Sequence, residues 1–400
     1  MTTAWVYAVK HRFRWPLLLL FSCYFYMVFV PKYIFILFFL IIIDYVAGLM
    51  IEQARGWRRK TLLVASLVAN IGMLSFFKYF NFAETEADRL CAFFGTGFHP
   101  AYLNVVLPIG LSFHTFQSMS YTIEVYRGKC RAERHLGIYA LYVLFYPQMV
   151  AGPIERPQNL LPQFHAPVKF NPVNIFEGFE LMLWGLFKKS VIADNLALLV
   201  DPAYNDPKAH VGWPMVLATY AFAFQIYCDF SGYTDIARGA ARVLGYNLML
   251  NFDRPYHAQS IIEFWRRWHI SLSTWFRDYL YIPMGGNRVG KWRHYFNVLV
   301  VFLVSGLWHG ASWAFVVWGG LHAVYILIGQ LTAGVRQKLW NASGLGNQTA
   351  TRTVVATIIT FHLVCISWVF FPCRFVASGG GGLFRHAASR PIRHMFACAA

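Results

Sequence analysis

The sequence predicts an all-α, polytopic integral membrane protein, and three observations carry that prediction. Of 400 residues, 57% are hydrophobic, 18% are aromatic and only 13% are charged, against about a quarter charged in ordinary soluble domains. Apolar runs of crossing length recur along the chain between short polar connectors, giving about 9–11 transmembrane helices with re-entrant or amphipathic helices beside them. Residues 295–335 contain no Asp, Glu, Lys or Arg at all, which is apolar length for two crossings at about 20 residues each.

The formal charge of +17 does not imply nucleic acid. The basic residues sit in clusters flanking apolar runs, where they are attracted to an anionic cytoplasmic leaflet. Cys23, Cys91, Cys130, Cys228, Cys365, Cys373 and Cys398 are scattered without a Cys-x-x-Cys pair, which argues against a disulfide framework or a thiolate metal site. The basic start KHRFR precedes an apolar run with no small-residue cleavage site, so the first helix is expected to stay as an anchor.

In chain order, apolar runs at 15–30 and 33–51 flank Pro31-Lys32, and a basic loop follows at 55–60. Both basic flanks are expected in the cytoplasm. A crossing at 61–80 leads to an outer loop at 81–100 bearing Glu84, Glu86 and Asp88, and the chain returns through 102–126, where His114 reads as structural. After an apolar run at 136–150, AGPIERPQNLLPQF carries Pro153, Pro157 and Pro162, which oppose a continuous helix. Helices follow at 177–200 and 213–246. In the second, Asp229, Ser231, Tyr233 and Asp235 place polar groups on a membrane helix. Buried carboxylates need partners, and Arg238 or the arginines of the 266–277 stretch are the candidates.

Residues 260–279 have a helical period. Trp265, Trp268, His269, Leu272, Phe276 and Tyr279 recur at spacings of three and four and share one face. Arg266 and Arg277, eleven residues apart, line another face, and Glu263 is one turn before Arg267. The loop IPMGGNRVGKWRH that follows combines Gly285 and Gly286 with Arg288, Lys291 and Arg293. It reads either as a phosphate cradle or as an ordinary basic cytoplasmic loop. His309 lies near the middle of the uncharged stretch between Gly306 and Gly310, so a helix break is expected there. Ionisable groups inside membrane segments are costly and mark sites. Thr353 to Phe371 is the last clear span.

The strings FWRRWHISLSTWFRDYLYIPMGGNR (264–288) and SGLWHGASWAFVVWGGLH (305–322) resemble signature blocks of the membrane-bound O-acyltransferase family, in its bacterial alginate O-acetyltransferase branch. The resemblance covers roughly residues 15–371, and AGPIERP is similar to a further family block. It implies a single domain at 1–372 around a central tunnel, in the bacterial inner membrane. Residues 373–400 depart from the family pattern and read as a truncated or frameshifted tail. The resemblance also implies acyl transfer, with His309 and His269 catalytic. Trp308, Arg266, Arg277, Asp278, Asp229, Ser231, Arg156 and Asn287 would bind substrate or support the site.

His309 is the expected base, since an unperturbed imidazole titrates near pH 6.5. His269 would orient, relay protons or stabilise the oxyanion. No bound cofactor or metal is expected. The donor would be acetyl-CoA or another acyl thioester on the cytoplasmic side, and the acceptor an exopolysaccharide such as alginate or a periplasmic acetyltransferase partner. A transporter or proton-coupled channel using buried His and Asp is the competing class, without a visible inverted repeat to support it.

Overall fold

The computed structural model describes residues 2–29, 31–96, 103, 107–346 and 349–371, and the regular elements among them are all helical. The tail at 373–400 lies outside the described residues. The described chain divides into two units, one of residues 2–185 with Tyr233–Met249 and one of Leu186–Gly232 with residues 250–371. Four segments are long and apolar enough to cross a membrane: Pro31–Gln53, Gly56–Phe94, Trp313–Leu331 and Ala350–Trp368.

The first unit contains α1 (Thr2–Ala8), α2 (Arg14–Phe29), α3 (Ile34–Gln53), α4 (Gly56–Phe94), α5 (Leu111–Tyr126), α6 (Leu136–Leu144), α7 (Pro157–His165) and α8 (Pro172–Leu186). The acidic stretch expected as an outer loop is instead the end of α4. Glu86 pairs with Arg89 one turn on, at 2.7 Å, and the helix closes on the left-handed Gly95 (φ 69°), as helix ends favour. Pro162 lies inside α7, so the prolines shorten the helix there without abolishing it. Helices α3, α4 and α5 are joined by a buried polar cluster: Asp44 accepts from Ser66 Oγ at 2.6 Å and from Asn70 Nδ2 at 2.9 Å, and Ser66 Oγ lies 3.3 Å from Thr122 Oγ1 of α5. Gly48 makes room for the Tyr121 ring, which a Cβ would meet at 2.7 Å.

The second unit begins with a π-helical turn, Phe187–Ala193, and continues through α9 (Asp194–Asn205) and α10 (Trp213–Val243), whose last residues belong to the first unit. It is completed by α11 (Ile261–Arg267), α12 (Ile270–Phe276), a π-helical turn at Arg277–Tyr281, α13 (Lys291–His309), α14 (Trp313–Leu331), α15 (Ala333–Ala342) and α16 (Ala350–Trp368). The single amphipathic helix expected over 260–279 is two seven-residue helices. The chain breaks at Trp268, which is extended, and at His269, which is left-handed (φ 43°, ψ 55°).

Helices α13 and α14 form the close pair expected from the uncharged stretch. A Cβ on Gly306 would lie 2.2 Å from the Phe315 carbonyl oxygen, and one on Gly319 would lie 2.2 Å from that of Phe302. Small residues let helix backbones approach in membranes. Tryptophans fill the rest: Trp265, Trp268, Trp318 and Trp368 pack in one buried cluster. Within it Trp265 Nε1 donates to His322 Nδ1 at 3.2 Å, and His322 Nε2 meets Ser367 Oγ at 2.9 Å, tying α11, α14 and α16.

Gly306→Ala should therefore lower the apparent melting temperature of the detergent-purified protein by the equivalent of about 1–3 kcal/mol of overpacking. Gly329→Ala, whose Cβ would meet nothing within 4 Å, should leave it unchanged or slightly raised. Equal melting of the two variants would refute close packing at Gly306.

Candidate functional site

The break in the 260–279 segment frees backbone groups that membrane-depth packing must satisfy. The polar stretch NFDRP supplies them. Ile270 N donates to the Asn251 carbonyl at 2.9 Å, and Asp253 N donates to the Arg267 carbonyl at 2.9 Å. The Asn251 side chain is buried in the same place. Its Oδ1 lies 3.1 Å from His269 Nδ1, 3.2 Å from Ser271 N and 2.9 Å from Ser271 Oγ.

His269 is 1% exposed, closed off from water by the groups packed around its ring. Phe230 stands edge-on to it at 4.7 Å, Phe252 lies at 6.4 Å, and the Trp308 ring approaches at 6.3 Å.

His309 is the last residue of α13 and only half buried. The expected break follows it directly: Gly310 is extended and Ser312 caps α14. The His309 ring lies 4.9 Å from Trp308, 4.9 Å from Trp318 and 5.5 Å from Phe371. Trp308 thus touches both histidines in one continuous aromatic seam.

The other predicted residues are distributed differently. Arg266, Arg277 and Asn287 are exposed. The helix break removes the shared face expected of the two arginines, and Arg277 is held by Asp278 through two bonds, at 2.8 and 3.2 Å. Glu263 pairs with Arg267 as expected, at 2.8 Å. Asp229 pairs with Lys189 of the π-helical turn at 2.8 Å, a lysine where an arginine was expected; Lys189 also meets Asp194 at 2.6 Å. Asp235 pairs with Arg238 at 3.5 Å. Ser231 is buried, and its hydroxyl has no hydrogen-bond partner among the described residues.

Arg156 belongs to the first unit, where it precedes α7. Its neighbour Glu155 is fully buried and accepts from Asn159 Nδ2 at 2.6 Å and Met249 N at 2.5 Å. The Gly285 and Gly286 amides donate at 2.9 Å to the carbonyls of Ile282 and Tyr281, so they close a turn and are not available as a phosphate cradle. Sequence reasoning missed Asn251, Lys189, Phe230, Trp318 and His322. The one usable signal was Asn251 itself, a polar residue ahead of an aromatic helix.

The fold and site define a polytopic all-helical membrane protein with two histidines on a buried aromatic seam. The chain belongs to the MBOAT, membrane-bound O-acyltransferase family, whose model matches residues 134–376. It is 39% identical over 331 residues to the protein named "Probable alginate O-acetylase AlgI" of Pseudomonas aeruginosa, covering 81% of this chain and 59% of that one. It is 34% identical over 399 residues to the peptidoglycan O-acetyltransferase of Helicobacter pylori, covering 93% and 73%. To the teichoic acid D-alanyltransferase of Streptococcus thermophilus it is 27% identical over 282 residues, covering 66% and 68%. The chain thus spans about three fifths of the length of the alginate relative.

Asp229→Asn should destabilise the protein by about 1–3 kcal/mol, because it removes a carboxylate from Lys189 in a largely dry setting. Lys189→Met combined with Asp229→Leu should recover most of that loss in the same melting assay. A neutral Asp229→Asn would remove the pair from the account.

Proposed function

We propose that this chain is a membrane O-acetyltransferase acting on a polysaccharide, with residues 1–372 as its one membrane domain in the bacterial inner membrane. The donor is acetyl-CoA or a similar thioester on the cytoplasmic side. The acetyl group passes through a central tunnel to hydroxyls of an exopolysaccharide such as alginate, or to a periplasmic acetyltransferase partner. The observation that carries this reading is the seam His269–Trp308–His309, built from the two blocks that resemble the family. The names of the relatives support the reaction type.

His309 takes the acceptor hydroxyl proton as its oxygen attacks the thioester carbonyl. The tetrahedral intermediate then expels the thiolate, which receives that proton from the imidazolium. The dry aromatic surround aligns the two substrates and excludes water. Trp308 spaces the histidines, while Ser231 and the Lys189–Asp229 pair shape the α10 side. The exposed Arg266, Arg277 and Asn287, with the charge-paired Asp278, meet the anionic donor or acceptor outside the seam; Arg156 of the first unit, half-buried, has a supporting role. Peptidoglycan is a second acceptor reading, favoured by the Helicobacter pylori relative, which aligns over 93% of this chain.

In cells with matched membrane levels of the protein, His309→Ala should lower acetyl content of the exopolysaccharide or peptidoglycan by about 10²–10⁴ in rate. His269→Ala should also lower it. Acetylation by His309→Ala at the wild-type rate would exclude His309 as the base.

A further inference from the structure

We propose that Asn251 is a positioning residue that holds His269 in the Nδ1–H tautomer and so presents Nε2 as its proton-accepting atom. The inference rests on His269 belonging to the transfer site proposed above.

The donors around the Asn251 side chain fix its orientation. Ser271 N is a backbone amide and can only donate, so the Asn251 atom 3.2 Å away is an acceptor, its carbonyl oxygen. The Ser271 hydroxyl adds a second donor to the same oxygen at 2.9 Å. His269 Nδ1 faces that oxygen at 3.1 Å. An unprotonated Nδ1 there would set two lone pairs against each other, so Nδ1 carries the proton and donates it. A neutral imidazole has one N–H, which leaves Nε2 with the lone pair.

The backbone holds this arrangement in place. Asn251 O takes the Ile270 amide, and the left-handed turn at His269 aims the ring back at Asn251. A non-glycine residue at positive φ is uncommon and costs free energy. The strain at His269 is offset by the three bonds to one side chain. The contacts on the ring include Phe230 from α10, Phe252 beside Asn251, Ser271 from α12 and Trp308 from α13, each of them uncharged. The charged or titratable groups nearest in sequence to these contacts are Asp229, Asp253 and His309, and Asp229 is paired with Lys189.

Chemically, the tautomer separates the roles open to His269. A neutral ring with its lone pair at Nε2 accepts a proton from a hydroxyl or thiol. It has no N–H left to give an oxyanion, so His269 serves the reaction as a relay and not as an oxyanion donor.

The test reads the ring nitrogens directly. Histidine is labelled with ¹⁵N in the full-length, detergent-purified protein, and His269 is assigned by the signal lost in His269→Gln. Wild type should show His269 protonated at Nδ1 alone. Asn251→Ala should mix the two tautomers and lower turnover about tenfold.

Asn251→Asp keeps the acceptor and adds a negative charge, which favours the imidazolium. It should retain turnover at high pH and move the acid limb of the pH profile upward by about 1–3 units. An Nε2-protonated His269 in wild type would overturn the proposal. So would a folded Asn251→Ala protein with unchanged tautomer, or an Asn251→Asp protein whose acid limb does not move. The spectrum needs no substrate, so a fixed Nδ1–H tautomer in a chain that acetylates nothing sustains the assignment of Asn251 and removes the proposed function instead.

Discussion

The second unit depends on how the helix break at His269 is closed. A chain that leaves helical geometry in an apolar interior exposes amides and carbonyls that have no water to turn to. Here the break is clamped by its own upstream segment, with Ile270 bonded to Asn251 and Asp253 to the Arg267 carbonyl. Two backbone bonds and one buried amide side chain thus turn a discontinuity into a rigid corner. Without that corner α11 and α12 would run on as one helix, and the His269 ring would follow the helical stripe away from Asn251.

The second histidine is placed by a different device. Gly306 and Gly319 bring α13 and α14 to backbone contact, and Phe315 packs directly on Gly310, where a Cβ would come within 2.2 Å of its ring. This leaves His309 at a helix end among aromatic rings, half exposed, where a proton can reach it. His269 is walled in by aromatic rings. One interior thus holds two imidazoles in unlike settings, one open at a helix C-terminus and one sealed against an amide. His322, only a turn from Trp318 on α14, is saturated by Trp265 and Ser367 and braces the packing.

Much of this was legible in residue patterns, because membrane burial imposes long uncharged runs. The absence of charge over 295–335 foretold α13 and α14, and the flanking glycines foretold the break beside His309. The Glu263–Arg267 pair followed from one-turn spacing. The periodicity of 260–279 was misleading in one respect. It marked residues that are in fact buried, Trp265, Trp268, His269, Leu272 and Phe276, but placed them on one face of a single helix running through His269, because period alone carries no trace of a left-handed residue. The acidic stretch after residue 81 read as a loop for its charge, yet Glu86 and Arg89 are one helical turn apart and support α4.

Composition and local spacing were enough to set the class of the molecule, its apolar helices and the histidines worth watching, since each rests on short-range periodicity or bulk hydropathy. Partners distant along the chain were beyond that reach. Asp229 is forty residues from Lys189, Asn251 is eighteen from His269, and Trp308 meets His269 across thirty-nine. Such pairings arise only when separate helices pack and each buried polar group takes the nearest group able to satisfy it. Three-dimensional packing alone therefore chose which nitrogen of His269 faces Asn251, which cation neutralises Asp229 and which ring bridges the two histidines.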